Sequence, residues 1–161
     1  MPRIYRVMKE LNGKPETGNS SCMLGARERD LGREEVPPSN FLEPEKAGLS
    51  VGGCVRTNYF NILPQRLAKI YPQWARGAKG KDAHKVWAMG EGTYESAPVN
   101  VDLKLRIPPI SKDNPGHGLV APNRRMLLEE YQAALAATQD QWKVDEEHSD
   151  GCPVCKQFGI S

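Results

Sequence analysis

The chain has 161 residues, of which 39% are hydrophobic, so its length and composition predict one domain with a single core. The net charge of +2 comes from 22 basic and 20 acidic residues, which gives no support to a protein that coats nucleic acid or to an acidic solvating tail. The 15 glycines and 13 prolines favour short elements joined by many turns over a helical bundle.

Membrane and secretion signals are not evident in the sequence. It has no run of about 18 apolar residues, and residues 1–10 mix charged with apolar side chains, unlike a secretory leader. The cysteines are too few and too irregularly spaced to predict a disulfide framework: they are Cys22, Cys54, Cys152 and Cys155. We therefore expect a protein of a reducing compartment such as the cytoplasm.

The first third of the chain predicts two strands separated by a long loop. Residues 4–8 are β-branched and aromatic, which predicts a strand, and a turn follows at residues 12–15. Residues 16–47 are polar and predict a surface loop with one short element near residues 22–26. The glycine-rich segment 48–53 predicts a strand that another group approaches closely.

The middle of the chain predicts one helix and three further strands. Between residues 61 and 71, apolar side chains recur at helical spacing, and residues 77–82 predict a basic loop. Residues 85–89 predict a strand that ends at a glycine turn. Residues 101–107 alternate strictly between apolar and polar, and residues 117–122 predict a short strand.

The last third predicts the clearest helix and then a tail. Residues 125–138 place apolar side chains on one helical face, with Asn123 as the predicted cap. Residues 142–144 predict one more extended segment, and residues 147–161 predict a polar tail. Strands outnumber helices and no βαβ rhythm is present, so we predict an α+β domain with mainly antiparallel pairing.

Four side chains on the predicted strands are candidates for binding or catalysis. Arg6 suits a phosphate or pyrophosphate, and its neighbour Tyr5 points to the opposite face of the strand. Ser50 is flanked by small residues and suits a carboxylate or a ribose hydroxyl. His117 precedes a glycine and suits a donor or a base. Each of these patterns also fits an ordinary strand or loop residue without a binding or catalytic role.

The cysteine pair of the tail has the spacing of half a zinc site. Cys152 and Cys155 with His148 offer three ligands, whereas a structural site needs four, so Cys22 or Cys54 would have to complete it. The alternative is a local disulfide or a contact between copies of the chain. On this basis the sequence assigns no metal ligand.

Several of these segments together resemble a known family. They are residues 5–6, 48–51, 86–92 and 117–122, followed by the helix pattern up to Trp142. This combination resembles the small NAD-dependent ADP-ribosyltransferase-like toxins delivered by type VI secretion systems. The resemblance covers residues 4–145 and implies an ADP-ribosyltransferase-like domain over residues 1–146, built on a split antiparallel sheet.

The resemblance implies an antibacterial effector that cleaves the nicotinamide–ribose bond of NAD. It would transfer ADP-ribose to a protein or nucleic acid, or hydrolyse NAD, inside a target cell. A cognate immunity protein is a further implied partner. Arg6 would hold the NAD phosphates with Tyr5 beside it, and Ser50 would support the nicotinamide ribose. A glutamate would stabilise the oxocarbenium-like ribose.

The sequence departs from this family at the catalytic acid. The expected position, just before Pro122, is Ala121. Three explanations stay open: the acid lies elsewhere, the chain is an engineered inactive variant, or the protein binds without turnover. Glu91, Glu95 and Glu146 are the alternatives for the acid.

The catalytic candidates are therefore Glu91, Ser50 and His117, and the cofactor-binding candidates are Arg6, Tyr5 and Ser50. Two other functions stand beside the enzyme. One is a silent ADP-ribosyltransferase-like binding protein, and the other is a small zinc-tailed interaction domain.

Overall fold

The computed structural model describes residues 1–18, 23–25, 41–45, 48–54, 84–107, 116–145 and 151–158. The strands in these ranges are β1 (Ile4–Leu11), β2 (Lys14–Pro15), β3 (Phe41–Leu42), β4 (Leu49–Gly52), β5 (His84–Met89), β6 (Ala97–Pro98), β7 (Leu103–Arg106), β8 (His117–Pro122), β9 (Met126–Leu127) and β10 (Lys143–Val144). The helices are α1 (Leu128–Ala136), a 3-10 helix (Gln139–Gln141) and α2 (Pro153–Phe158). The predicted helix at 61–71 and loop at 77–82 lie outside the described residues.

One antiparallel sheet organises this part of the chain. Its strand order is β10–β5–β1–β4–β8–β7–β6, with β2 paired to the far end of β1, and β3 with β9 forms a separate two-stranded sheet. Every strand pairing within the described ranges is antiparallel. The predicted α+β class with mainly antiparallel strands is confirmed, as are the strands at 4–8, 48–53, 85–89, 101–107 and 117–122.

A tight hairpin joins β1 to β2. Leu11 pairs with Lys14, which leaves a loop of only Asn12 and Gly13. Their φ angles are 55° and 79°, so both residues adopt the left-handed conformation that a type I′ hairpin turn requires. The turn predicted at this position is confirmed.

The strand register assigns each side chain to one of two faces. Tyr5 pairs with Gly52, and Gly52 pairs with His117. Because side chains alternate along a strand, Tyr5, Ser50 and His117 share one face, which we call the polar face. Arg6 lies on the opposite face, which we call the core face. The core face packs against buried residues of the helices and loops, among them Leu24, Leu42, Tyr131, Leu135 and Trp142.

The second sheet corrects two predictions. Phe41 and Leu42 form β3 inside the segment predicted as a loop, and they pair with Leu127 and Met126. This pairing takes the first residues of the predicted helix, so α1 begins only at Leu128. Asn123 is not its cap, because the Asn123 amide donates to the carbonyl oxygen of Val101.

The segment predicted as a polar tail contains helix α2. Cys155 is buried, and the Phe158 ring meets the Tyr94 ring edge to face with 6.1 Å between centroids. A Cβ atom at Gly53 would come within 2.7 Å of both Tyr94 and Val154, so the close approach of α2 requires glycine there. The apolar residues of this segment therefore pack on the sheet. Neither α-helix of the described ranges has the length and apolar character to span a membrane.

Candidate functional site

Ser50 and His117 meet on the polar face of the sheet. They lie on the neighbouring strands β4 and β8, and Ser50 Oγ is 2.6 Å from His117 Nε2. Both side chains are half-buried. Burial, with a smaller contribution from the charge of Arg106, lowers the pKa of His117 below its ordinary value, which favours the neutral imidazole. The structure thus brings together two of the predicted site residues.

Arg6 is bound into the core face instead. Its side chain is 2% exposed. Arg6 Nη1 donates to the carbonyl oxygen of Ser50 at 2.7 Å, while Nε and Nη2 donate to that of Met23 at 3.3 and 3.1 Å. These hydrogen bonds compensate the burial of the charge. They connect β1 to β4 and to Met23. In this arrangement Arg6 stabilises the fold, and its guanidinium does not reach the face that carries the Ser50 hydroxyl.

Tyr5 lies on the polar face but is part of another network. The Tyr5 hydroxyl accepts a hydrogen bond from Arg3 Nε at 2.9 Å and donates to Asp145 Oδ2 at 3.3 Å. Arg3 also forms an ion pair with Asp145 at 2.6 Å. Burial raises the pKa of Tyr5, so its hydroxyl keeps its proton. This network connects β1 to the residue that follows β10.

Glu91, the candidate for the catalytic acid, does not lie beside Ser50. Glu91 is exposed after β5, and its neighbour Gly92 bridges to Pro2 at the start of β1. The register places Ser50 at the level of Val7, which is about 16 Å further along β1. Glu95 is also exposed.

Two further positions were considered for the acid. Glu146 lies outside the described residues. Ala121 is fully buried in β8, on the same face as His117, and it pairs with Lys104 of β7.

A second constellation lies where β4 ends. The sulfur atoms of Cys54, Cys152 and Cys155 all lie within 4.8 Å of one another, and those of Cys54 and Cys155 are 3.6 Å apart. None of these three cysteines forms a disulfide bond. Three thiolates at about 2.3 Å from one tetrahedral zinc ion are about 3.8 Å apart, so the spacing suits a shared metal ion.

Two elements hold these cysteines in place. Cys54 lies two residues after the end of β4. Cys152 immediately precedes α2 and Cys155 lies in its first turn, where the Lys156 amide donates to the Cys152 carbonyl oxygen at 3.1 Å. Burial acts to raise the pKa of Cys152, but hydrogen bonds from the backbone N–H groups of Cys155 and Val154 and contacts with the two other thiols lower it overall.

The sequence predicted only part of this cluster. The spacing of Cys152 and Cys155 was visible, but Cys54 and Cys22 were equal alternatives, and no metal ligand was assigned. Only the packing of α2 against Gly53 selects Cys54. Cys22 and His148 lie outside the described residues.

Comparisons of the chain with protein-family models, with curated proteins and with solved structures gave no match.

Proposed function

We propose that this chain is a small binding domain whose C-terminal helix is fixed to the sheet by one zinc ion. The observation that carries the proposal is the convergence of Cys54, Cys152 and Cys155 from two elements about a hundred residues apart in sequence. These residue types and this spacing are those of structural zinc centres. The fourth ligand would be His148, four residues before Cys152, or Cys22.

Burial supports a structural role for this metal centre over a catalytic one. Cys54 and Cys155 are buried, at 5% and 8% exposure, and Cys155 is part of α2. A catalytic zinc site keeps one position open for water or substrate, whereas a structural site is closed by four protein ligands. Because the cluster joins β4 to α2, metal binding would contribute directly to the folding of this end of the domain.

The proposal is tested by the zinc content of the full chain and of single cysteine variants. We expect one zinc ion per chain and loss of that ion in Cys54→Ser. His148→Ala and Cys22→Ser identify the fourth ligand, because only the variant that removes it will weaken zinc binding. A chain that folds without zinc, keeps three free thiols and takes up no zinc on addition would overturn the proposal.

NAD-dependent ADP-ribosyl transfer is a second candidate function, together with the split-sheet fold that the resemblance implies. The observation that favours it is the contact between Ser50 and His117, since the hydroxyl and the imidazole are positioned to bind a ribose hydroxyl. Arg6 is not available for the NAD phosphates in this arrangement, so the phosphates would need another cation.

This candidate is tested by calorimetry with NAD on the Ser50 and His117 variants and by an assay of NAD consumption. The transferase hypothesis predicts NAD binding that weakens in both Ser50→Ala and His117→Ala, and NAD consumption by the unmodified chain. Absence of binding, or binding that neither substitution changes, contradicts it. Binding that weakens in both variants, without NAD consumption, supports the silent ADP-ribosyltransferase-like protein. None of these outcomes depends on the zinc content.

A further inference from the structure

Arg106 lies on the polar face beside the Ser50–His117 pair. On β7 it pairs with Leu119, which in turn pairs with Ser50 on β4. The three residues therefore form one row across the sheet, and His117 is two residues from Leu119 on the same face. Arg106 is also close enough to His117 for its charge to act on the imidazole. The row places a positive charge on the polar face.

The guanidinium of Arg106 has an unused donor. Among the described residues, two side-chain atoms are buried without a hydrogen-bond partner, namely Glu16 Oε2 and Arg106 Nε. Glu16 Oε2 lies 3.9 Å from the Lys9 ammonium, which compensates its charge. None of the ion pairs within the described ranges involves Arg106. An unpaired buried donor of a charged group costs at least about 1–3 kcal/mol, so an acceptor from outside the chain would relieve this penalty.

Arg106 lines a cavity at the edge of the sheet. It has a volume of about 300 Å³, and its polar lining consists of Glu45, Ser96, Lys104, Arg106 and Asn123. The Arg106 side chain as a whole is half-buried, so part of it is accessible from the cavity. Ser96 and Asn123 add a hydroxyl and an amide to the wall. The volume is at the lower end of the range for small-molecule clefts.

The charges of the cavity favour an anion. Lys104 and Arg106 supply two cations, and the single carboxylate is that of Glu45, 3.2 Å from Lys104 Nζ. The Glu45 side chain is 73% exposed, and exposed ion pairs of this kind contribute at most about 1 kcal/mol. An incoming oxyanion would therefore displace Glu45 from Lys104 at a small cost in free energy. A planar guanidinium with a nearby ammonium matches the geometry and charge of a phosphoryl group.

We infer that Arg106 and Lys104 bind the phosphoryl group of a small phosphorylated ligand in this cavity. The inference names the ligand class of the binding domain proposed above and rests on that proposal. The phosphoryl group would accept hydrogen bonds from the guanidinium, the Lys104 ammonium and the Ser96 hydroxyl. Inorganic phosphate and a nucleotide share this chemistry.

The experiment is a titration of the full, zinc-loaded chain with inorganic phosphate and separately with NAD. Binding is measured by calorimetry and by the NMR signals of the His117 ring, which lies beside Arg106. We expect dissociation constants of about 1 mM or tighter for at least one of the two probes. Tighter binding of NAD than of phosphate would identify a nucleotide as the source of the phosphoryl group, and the reverse would identify a free phosphate.

The matched variants are Arg106→Gln and Arg124→Gln, which remove the same charge at neighbouring places. Arg124 is exposed and paired with Asp102 at 2.9 Å, outside the cavity. We expect Arg106→Gln to weaken binding at least about tenfold and Arg124→Gln to leave it unchanged. No binding of either probe up to about 10 mM, or equal loss in both variants, would overturn the inference. The zinc content of the same samples is measured independently, so failure of phosphoryl binding is distinguishable from failure of the zinc proposal.

Discussion

The Arg6 side chain donates a hydrogen bond to the backbone of Ser50, although the two side chains lie on opposite faces of the sheet. Arg6 Nη1 is 2.7 Å from the Ser50 carbonyl oxygen, whereas the Ser50 hydroxyl bonds to His117 on the other face. A single site that uses both the guanidinium and the hydroxyl is therefore incompatible with this register. The arginine side chain lies on the core face and the serine side chain on the polar face.

Replacement of Arg6 is predicted to lower the stability of the protein. Arg6→Met removes the hydrogen bonds to Met23 and Ser50 and leaves two carbonyl groups without these donors, so we expect a loss of about 2–4 kcal/mol in the free energy of unfolding. Ser50→Ala, on the polar face, should cost less than about 1.5 kcal/mol. Urea unfolding of both variants measures the difference. Equal stability of Arg6→Met and the unmodified chain would refute the structural role of Arg6.

Tyr131 provides a second test of the core face. Its buried hydroxyl donates to the Val120 carbonyl oxygen at 2.5 Å and accepts from the Leu49 amide at 3.1 Å, so it joins α1 to β8 and β4. Tyr131→Phe leaves both backbone groups unpaired and is expected to cost about 1–3 kcal/mol.

The control for this substitution is Tyr5→Phe, because Tyr5 is half-buried on the polar face. It should cost less than Tyr131→Phe in the same unfolding assay. A larger loss for Tyr5→Phe would show that α1 does not pack as described.

The stability of the protein is predicted to decrease as pH falls through about 6.5 because of His117. Burial and the charge of Arg106 lower its pKa in the folded state, so the unfolded chain binds the proton first on acidification. The contribution is fully present above the ordinary histidine pKa and is lost below it. Unfolding midpoints between about pH 5 and 8 should show a shallower dependence for His117→Gln than for the unmodified chain. Identical pH profiles would contradict this assignment.

Helix α2 is predicted to contribute to the stability of the whole domain. Phe158→Ala removes the edge-to-face contact with Tyr94, and because the ring is only partly buried we expect a loss of about 1–3 kcal/mol. Leu11→Ala is the control, since Leu11 is 53% exposed. Thermal unfolding measures both. A Phe158→Ala variant as stable as the control would show that residues 151–158 do not pack on the sheet in solution.

Local patterns were sufficient for the five strands of four or more residues in the described part of the chain. The alternation in Leu103–Arg106 and the β-branched run at the start of β1 reflect burial of one face, which is a property of the segment itself. β3 has only two residues, and its existence depends on pairing with Met126 and Leu127. Such a pairing leaves no periodic signal, so the loop assignment at residues 41–42 and the helix start were wrong.

The arrangement of the candidate site depended on contacts that sequence spacing does not encode. Alternation shows that Tyr5 and Arg6 face opposite ways, but only the register with β4 shows which of them faces Ser50. In the same way, the CxxC spacing indicated a metal site, but the third ligand came from Cys54 through tertiary packing. The apolar residues of α2 were the signal that the tail would pack.

The most direct test of the central claim is X-ray absorption at the zinc edge of the purified, full chain. The account predicts a bound zinc ion with at least three sulfur neighbours at about 2.3 Å, and one sulfur fewer in Cys54→Ser if any zinc is retained. A zinc ion surrounded by nitrogen and oxygen alone, or a spectrum unchanged by Cys54→Ser, would contradict it.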